Sequence, residues 1–224
     1  MATIYILQNL KRVNAKFRIY SVDLSEKMVE LTKARIHHEC PEHDNIKSTV
    51  HIASLDDLKM IRSGKLELYH SNLCFHLVPD VTVTLKEANR VLKPGGKLCF
   101  STIAQKREDS LLLPLDLIAE QLNFPPYKER DLFHLGERET MKQHLENTGF
   151  RLDLFWYQNI GVYLANFEEY LATTNTHELL AYKEKLTEEQ VQKFFAYTRE
   201  NYARLKRNNT PFDFTCAMIV ATKL

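Results

Sequence analysis

Polar side chains that could bind a ribose or move a proton follow the predicted strands of this 224-residue chain. Asp23 ends the apolar run 17–23, and Asn72 and His76 follow the run 66–71. Doubly wound sheets bind ligands at the carboxyl ends of their strands, where an acid accepts hydrogen bonds from a ribose diol. An imidazole at this edge can serve as a general base. These residues predict a ligand site with His76 as the catalytic candidate, although a packing role for His76 is the alternative interpretation.

The stretch from Leu66 to Thr102 is expected to position Asn72 and His76. Its sequence predicts a strand, a loop, a helix capped by Asp80, a tight turn at Pro94-Gly95-Gly96 and a second strand. The helix has an apolar side formed by Val81, Leu85, Ala88 and Leu92, and a side expected to face water formed by Lys86, Glu87, Asn89, Arg90 and Lys93. This order of elements is one βαβ unit of a parallel sheet.

Strand and helix patterns alternate along the rest of the chain. Predicted strands cover residues 17–23, 49–53, 66–71, 97–103, 151–158 and 212–223, and we expect the first four to be parallel neighbours in one sheet. Predicted helices include residues 3–14, for which a strand at 2–7 is the alternative, and a short helix at 56–61. The pattern predicts an α/β fold with a doubly wound, mostly parallel sheet and helices on both faces.

Several of these segments resemble the class I S-adenosylmethionine-dependent methyltransferases of type 11. The loop HLVPD at 76–80, the helix end RVLKPGG at 90–96 and the strand KLCFST at 97–102 resemble the second half of that domain. VDLSEKMVELTKAR at 22–35 resembles its second strand and helix, and FTCAMIVATK at 214–223 resembles its last strand. The resemblance implies one Rossmann-like domain over residues 1–224 and methyl transfer from S-adenosylmethionine to a small-molecule acceptor.

The resemblance also implies roles for individual residues. Asp23 would hold the ribose hydroxyls of the cofactor, although it also suits the cap of the next helix. Leu24 would line the adenine, and Asn72 would meet the methionine moiety. Ser54 and Leu55 follow the third strand, where many members of the family carry an aspartate that meets the adenine amino group.

The family's first strand and glycine-rich loop have no counterpart in this sequence, whose first glycine is Gly64. Either the gene model begins at an internal methionine or the protein has lost the element, so we expect weak cofactor binding at best. The alternative function is a cofactor-free structural or assembly subunit, or a truncated inactive copy. Strands 17–23 and 66–71 would then close against each other, recruit residues 2–7, or pair with another chain.

A helical insert is predicted at residues 159–210, before the last strand, where the family usually makes a short hairpin. Thr187 and Gln190 form a capping-box pattern ahead of a long apolar stripe. We expect a lid over the cofactor edge, and a helix packed on the core is the alternative. The aromatic residues proposed to shape the acceptor pocket are Phe167, Tyr170, Phe194 and Phe195.

Composition argues against several other classes of protein. A net charge of +1 gives no reason to expect a nucleic-acid partner, and no apolar run approaches the roughly 20 residues that span a bilayer. Four scattered cysteines are typical of a reducing compartment. The cluster His37, His38, Cys40 and His43 has the spacing HHxCxxH, which fits no closed tetrahedral pattern, so no metal site is predicted.

The start of the chain leaves two interpretations of its location. Before Asp23 there is no acidic residue, while Lys11, Arg12, Lys16 and Arg18 are basic, as in a mitochondrial presequence. A helix followed by a strand with exposed basic side chains explains the same composition. Because residues 17–23 are needed as a strand, we expect a cytoplasmic protein. A protein partner or a homo-oligomer stays open.

Overall fold

A computed structural model describes residues 2–10, 12–13, 15–40, 45–107, 110–112, 115–127, 131–174 and 177–224. Its helices are α1 (Ala2–Leu10), α2 (Glu26–Glu39), α3 (Val81–Val91), α4 (Leu115–Gln121), α5 (Arg138–Glu146), α6 (Phe167–Thr174), α7 (His177–Lys183) and α8 (Glu188–Arg207). Its strands are β1 (Phe17–Asp23), β2 (Ile46–Ile52), β3 (Leu66–Asn72), β4 (Leu92–Ala104), β5 (Phe150–Val162) and β6 (Phe212–Lys223). The predicted α/β class is confirmed, and the helix predicted at the start of the chain is present as α1.

The strands form two sheets, so the prediction of one continuous sheet is wrong. In the first sheet β1 pairs in parallel with β2, from Phe17 opposite Ile46 to Asp23 opposite Ile52. The second sheet has the order β3-β4-β6-β5, with β3 parallel to β4 and β6 antiparallel to both of its neighbours. Within the described residues β1 and β3 do not pair with each other, and residues 2–7 are helical, so neither expected substitute joins the sheets.

One hydrophobic core nevertheless connects the two sheets. Phe75, Leu85 and Leu98 are fully buried at its centre, and Tyr20 and Val22 of β1 pack against the same cluster. Burying one large apolar side chain contributes about 1.5–3 kcal/mol. Side-chain packing therefore stabilises the contact between the sheets, although no strand-to-strand hydrogen bonds cross between β1 and β3.

Helix α3 begins at its predicted cap, because the Asp80 carboxylate accepts two backbone N–H groups of the first turn. The side expected to face water is only partly exposed. Asn89 donates its amide to the carbonyl of Gly149 at 3.2 Å, and Glu87 and Arg90 bind the loop before β3. These polar side chains therefore make hydrogen bonds to backbone groups of neighbouring segments instead of to water.

The helix predicted at residues 56–61 is wrong, because this segment forms turns. The backbone N–H of Leu58 donates to Glu87 Oε1 at 2.7 Å, and Arg90 donates to the carbonyls of Leu58 and Ile61 at 3.1 and 3.0 Å. Since α3 side chains satisfy these backbone groups, the segment needs no helical hydrogen bonds of its own. Leu58 and Ile61 are buried, which fixes the loop on the core.

Helices α6, α7 and α8 lie between β5 and β6. β5 continues to Val162, so the segment between the strands begins later than the predicted residue 159. Tyr170 and Leu205 pack with Phe212 at the start of β6, and this end of β6 lies beside the carboxyl end of β4, where Ala104 pairs with Thr215. Helices α6 and α8 are therefore anchored at the carboxyl end of β4, whereas α7 packs against α4. Within the described ranges, no helix has both the length and the apolarity to cross a bilayer.

Candidate functional site

The carboxyl ends of β1 and β3 bring two of the predicted ligand residues into one region. Asp23 ends β1 and Asn72 ends β3. The thiol of Cys74, just beyond β3, donates to the Asn72 carbonyl at 3.2 Å. Burial raises the pKa of this thiol, and the negative charge of Asp23 raises the pKa further. The two strands are also joined by packing, because Tyr20 and Val22 of β1 lie against the core cluster that contains Tyr69 of β3.

Asp23 presents a solvent-exposed carboxylate at this edge. Its Oδ1 accepts the backbone N–H of Ser25 at 2.9 Å, and Ser25 in turn caps α2 by accepting the N–H of Met28 at 3.3 Å. A carboxylate has about four acceptor positions, so one backbone donor leaves the others for a ligand. A backbone hydrogen bond also fixes the position of Asp23, since the Asp23 carbonyl accepts the N–H of Ala53, just after β2.

Leu24, Ser54 and Leu55 follow the ends of β1 and β2. Leu24 is 72% exposed, which leaves a large apolar side chain for a ligand to cover. Ser54 and Leu55 are half-buried, and Leu55 packs against the core that joins the sheets. The Ser54 carbonyl accepts the N–H of Asp57 at 3.2 Å, so the turn itself sets the direction of the chain after Ser54.

Asn72 is fixed by Ser101, a residue that the sequence analysis did not identify. Ser101 Oγ donates to Asn72 Oδ1 at 2.8 Å and accepts the N–H of Leu73 at 3.0 Å. Leu73 has a φ of 54°, which is uncommon for a residue with a side chain and costs on the order of 1 kcal/mol. Ser101 pairs directly with Asn72 across β3 and β4. Aligning the two predicted strands would have identified this contact.

His76 lies inside the protein, in a 3-10 helix at Phe75–Leu77, and is 4% exposed. The neighbouring Phe75 stacks on Phe100 with ring centres 4.2 Å apart, which anchors this short helix in the core. A general base must come within hydrogen-bond reach of the proton that it removes. The burial of His76 therefore favours its packing role over the catalytic one.

The aromatic residues expected to line an acceptor pocket separate into two groups. Tyr170 and Phe194 are fully buried, Phe194 against α4, and cannot line an open surface. Phe167 and Phe195 line a groove of about 520 Å³ between α6 and α8, together with Leu171, Gln192, Ala196 and Arg199. The Arg199 guanidinium lies 4.4 Å from the centre of the Phe167 ring, a cation–π arrangement at the rim of the groove.

The histidine and cysteine cluster after β1 is spread over α2 and the residues beyond it. His37 and His38 lie in the last turn of α2, and the Cys40 thiol is buried and directed at the Ile4 carbonyl at 3.9 Å. His43 lies outside the described residues. Within the described part of the chain, no group of three metal-binding side chains is assembled.

Sequence comparison relates the first part of the chain to methyltransferases. Residues 3–100 match the family described as a methyltransferase domain. The demethylmenaquinone methyltransferase of Staphylococcus haemolyticus is 26% identical over 153 residues, which cover 62% of this chain and 61% of that protein. The malonyl-[acyl-carrier protein] O-methyltransferase of Hahella chejuensis is 30% identical over 99 residues, which cover 44% and 33%. The chain thus spans between one third and three fifths of the length of these relatives.

Solved structures share the fold at low sequence identity. A SAM-dependent methyltransferase from Methanosarcina mazei aligns with a TM-score of 0.56 and 14% identity, covering 98% of this chain and 86% of that one. The [4+2]-cyclase SpnF aligns with a TM-score of 0.53 and 10% identity, covering 99% and 80%. At these identities the likeness establishes a common architecture alone.

Proposed function

We propose that this chain, whose residues 3–100 match the methyltransferase domain family and whose fold is shared by a solved SAM-dependent methyltransferase, transfers a methyl group from S-adenosylmethionine to a small-molecule acceptor. The observation that carries the proposal is the family match, because residues 3–100 include Asp23, Ser54 and Asn72. Asp23 and Asn72 are the last residues of β1 and β3, and Ser54 follows β2, as expected of a ligand site at the edge of a doubly wound fold.

The side chains at this edge fit parts of the cofactor. The exposed Asp23 carboxylate has free acceptor positions for the ribose hydroxyls. Leu24 offers an exposed apolar surface for the adenine, beside Ser54 and Leu55. Asn72, oriented by Ser101, supplies a side-chain amide for the methionine end.

S-adenosylmethionine, when bound, supplies an activated methyl group on its sulfonium, so the protein needs few catalytic side chains. Its own residues have to hold the reactants in line and exclude water. We assign water exclusion to the insert formed by α6, α7 and α8, whose helices α6 and α8 are anchored at the carboxyl end of β4. The names of the relatives refer to acceptors of different chemistry, so they support no acceptor class narrower than a small molecule.

The test is a calorimetric titration of the whole chain with S-adenosylmethionine, comparing the wild type with Asp23→Asn. We expect weak binding, above micromolar dissociation constants, because the sequence before Gly64 contains no glycine to let the backbone approach the cofactor closely. Hydrogen bonds to a charged group contribute about 1.5–3 kcal/mol, so Asp23→Asn should weaken binding by at least about tenfold.

The matched control is Glu146→Gln, which removes the charge of an exposed acid of α5 that pairs with Lys142. Glu146→Gln should leave binding unchanged, and neither substitution should move the unfolding midpoint by more than a degree or two. Equal affinities of the wild type and Asp23→Asn would show that the carboxylate does not hold the cofactor.

The second candidate function is a structural or assembly subunit that binds no cofactor. One observation favours it: the first glycine of the chain is Gly64. SpnF, described as a [4+2]-cyclase, shares the fold and is not named a methyltransferase. Fold and family therefore do not by themselves fix methyl transfer. The absence of any heat of binding at millimolar S-adenosylmethionine, in a chain with a cooperative unfolding transition, would select this function.

A further inference from the structure

The strand β5 forms an unprotected edge of the four-stranded sheet. It pairs with β6 on one side, and no strand among the described residues pairs with its other side. β5 has 13 residues, and the run from Leu154 to Val162 contains no charged residue and no proline. Native sheets usually protect exposed edges with charges, prolines or bulges, and the one bulge of β5 lies before this run, at Leu152/Leu154. A long uncharged edge of this kind favours pairing with another strand.

One face of β5 is also apolar and open to solvent. Leu154, Trp156 and Ile160 are 58%, 43% and 38% exposed, and their even spacing places them on the same face of the strand. The opposite face contributes Phe155 to the core. A partner strand could therefore form backbone hydrogen bonds with the unpaired edge of β5 and side-chain contacts with its apolar face.

We propose that two copies of this chain associate by antiparallel pairing of their β5 edges about a twofold axis, which makes one continuous eight-stranded sheet. The alignment that overlaps the two uncharged runs completely is centred on Gln158. It places Leu154 opposite Val162 of the second copy and Trp156 opposite Ile160 of the second copy. On the exposed face Trp156 of each copy then meets Ile160 of the other, while Val162 keeps its contacts with the cluster around Tyr170 and Phe212 in its own copy.

A twofold interface must complement itself, and the uncharged run 154–162 meets this requirement because it pairs with its own copy. The charged residues of β5, Arg151 and Asp153, lie outside the overlapped run, so the pairing brings no like charges together. One strand per copy is smaller than the roughly 20–30 residues per side of a standard interface. The dimer is therefore weak and dissociates at concentrations on the order of micromolar.

Sedimentation velocity over a dilution series tests the pairing, with tryptophan emission as a second readout. Trp156 is the only tryptophan of the chain, so its emission should shift to shorter wavelength as the dimer forms. The decisive variant is Gln158→Lys, because the twofold axis places the two lysines opposite each other. Gln158 is exposed and bonds only the carbonyl of Asn159 among the described residues, so its replacement leaves the fold of one copy intact.

Directly opposite residues of an antiparallel pair have Cβ atoms about 5 Å apart, so two like charges at this position repel and association should weaken by about tenfold. Gln158→Glu should weaken it similarly, and an equimolar mixture of the Lys and Glu variants should recover a dimer at least as stable as that of the wild type. Gln192→Lys is the control, because it makes the same change at an exposed position of α8. A wild type that is monomeric at about 100 µM, a Gln158→Lys variant that dimerises like the wild type, or equal loss in Gln192→Lys would overturn the proposal.

Discussion

Replacing Arg90 with methionine removes a guanidinium that connects α3 to the loop after β2. Arg90 donates two hydrogen bonds to Glu87 at 2.7 Å and one each to the carbonyls of Leu58 and Ile61. Methionine keeps an apolar stem of similar length. The substitution therefore removes the donors alone and leaves the Glu87 carboxylate without its cation.

The magnitude follows from the burial of the pair. Breaking a fully buried ion pair by removing one partner costs about 3–5 kcal/mol. The side chains of Arg90 and Glu87 are 35% and 14% exposed, so water offsets part of the loss and we expect about 2–3 kcal/mol. For a chain of this length such a loss lowers the melting temperature by about 5–10 °C.

The hydrogen bond from Arg90 lowers the pKa of Glu87. A carboxyl group with a lowered pKa stabilises the fold above its ordinary pKa and loses that contribution as the pH falls. The stability difference between the wild type and Arg90→Met should therefore be full at neutral pH and shrink in acid.

Urea unfolding at pH 7 measures the loss of stability, and amide hydrogen exchange shows where it acts. Residues 53–65 should exchange faster in Arg90→Met than in the wild type, because their carbonyls lose their donors. Lys86→Met is the control, since Lys86 is an exposed residue of the same helix. A loss below about 0.5 kcal/mol, or exchange in the loop equal to that of the control, would refute the role of Arg90 in holding this loop.

Four further outcomes are expected. Lys97 and Thr222 hold the pKa of Asp153 at about 2 against an ordinary 3.8. After solvent screening, this lowered pKa corresponds to about 1 kcal/mol of stability. Asp153→Asn should lose this stability at pH 7, and the wild type should lose it in urea titrations as the pH falls from about 4 towards 2. A stability difference between the two proteins that does not depend on pH would contradict this. Leu85→Ala should cost about 3 kcal/mol in urea unfolding, since the side chain is fully buried, and a loss below about 1 would place it outside the core. Ser101→Ala should release Asn72 and weaken S-adenosylmethionine binding by about three- to tenfold with an unchanged circular dichroism spectrum; unchanged affinity would show that Asn72 does not meet the cofactor. Fusing an apolar strand ahead of the chain should raise the unfolding midpoint, because β1 and β3 each pair with only one described strand and a buried unpaired backbone group costs about 1–3 kcal/mol. An unchanged midpoint would show that these edges need no partner.

The features predicted correctly from the sequence depend on neighbours in the chain. The caps at Ser25, Asp80 and Thr187 each involve a side chain and a backbone N–H two or three residues later. Strand β1 follows from its β-branched and aromatic residues, and α3 from its apolar side. Such contacts involve only a few consecutive residues, so they can be predicted without knowledge of the tertiary structure.

The features that were missed depend on residues far apart in the chain. Ser101 holds Asn72 across 29 positions, and Arg90 holds the Leu58 carbonyl across 32. A pattern of apolar and polar residues cannot distinguish a polar side chain in water from one that binds a distant loop. The division into two sheets was missed for a related reason, since alternating strand signals do not show which edges meet.

The position of β6 between β4 and β5 has a consequence for synthesis on the ribosome. Lys97 of β4 bonds Thr222 of β6 across 125 residues, so the two strands leave the ribosome far apart in time. At about 5–20 residues per second, the stretch between them takes on the order of 10 s to translate. Pairs so distant in sequence also close slowly. During that interval the nascent chain has β4 with one open edge and, once it is made, β5 with two, a state in which contact with a neighbouring nascent chain competes with correct folding.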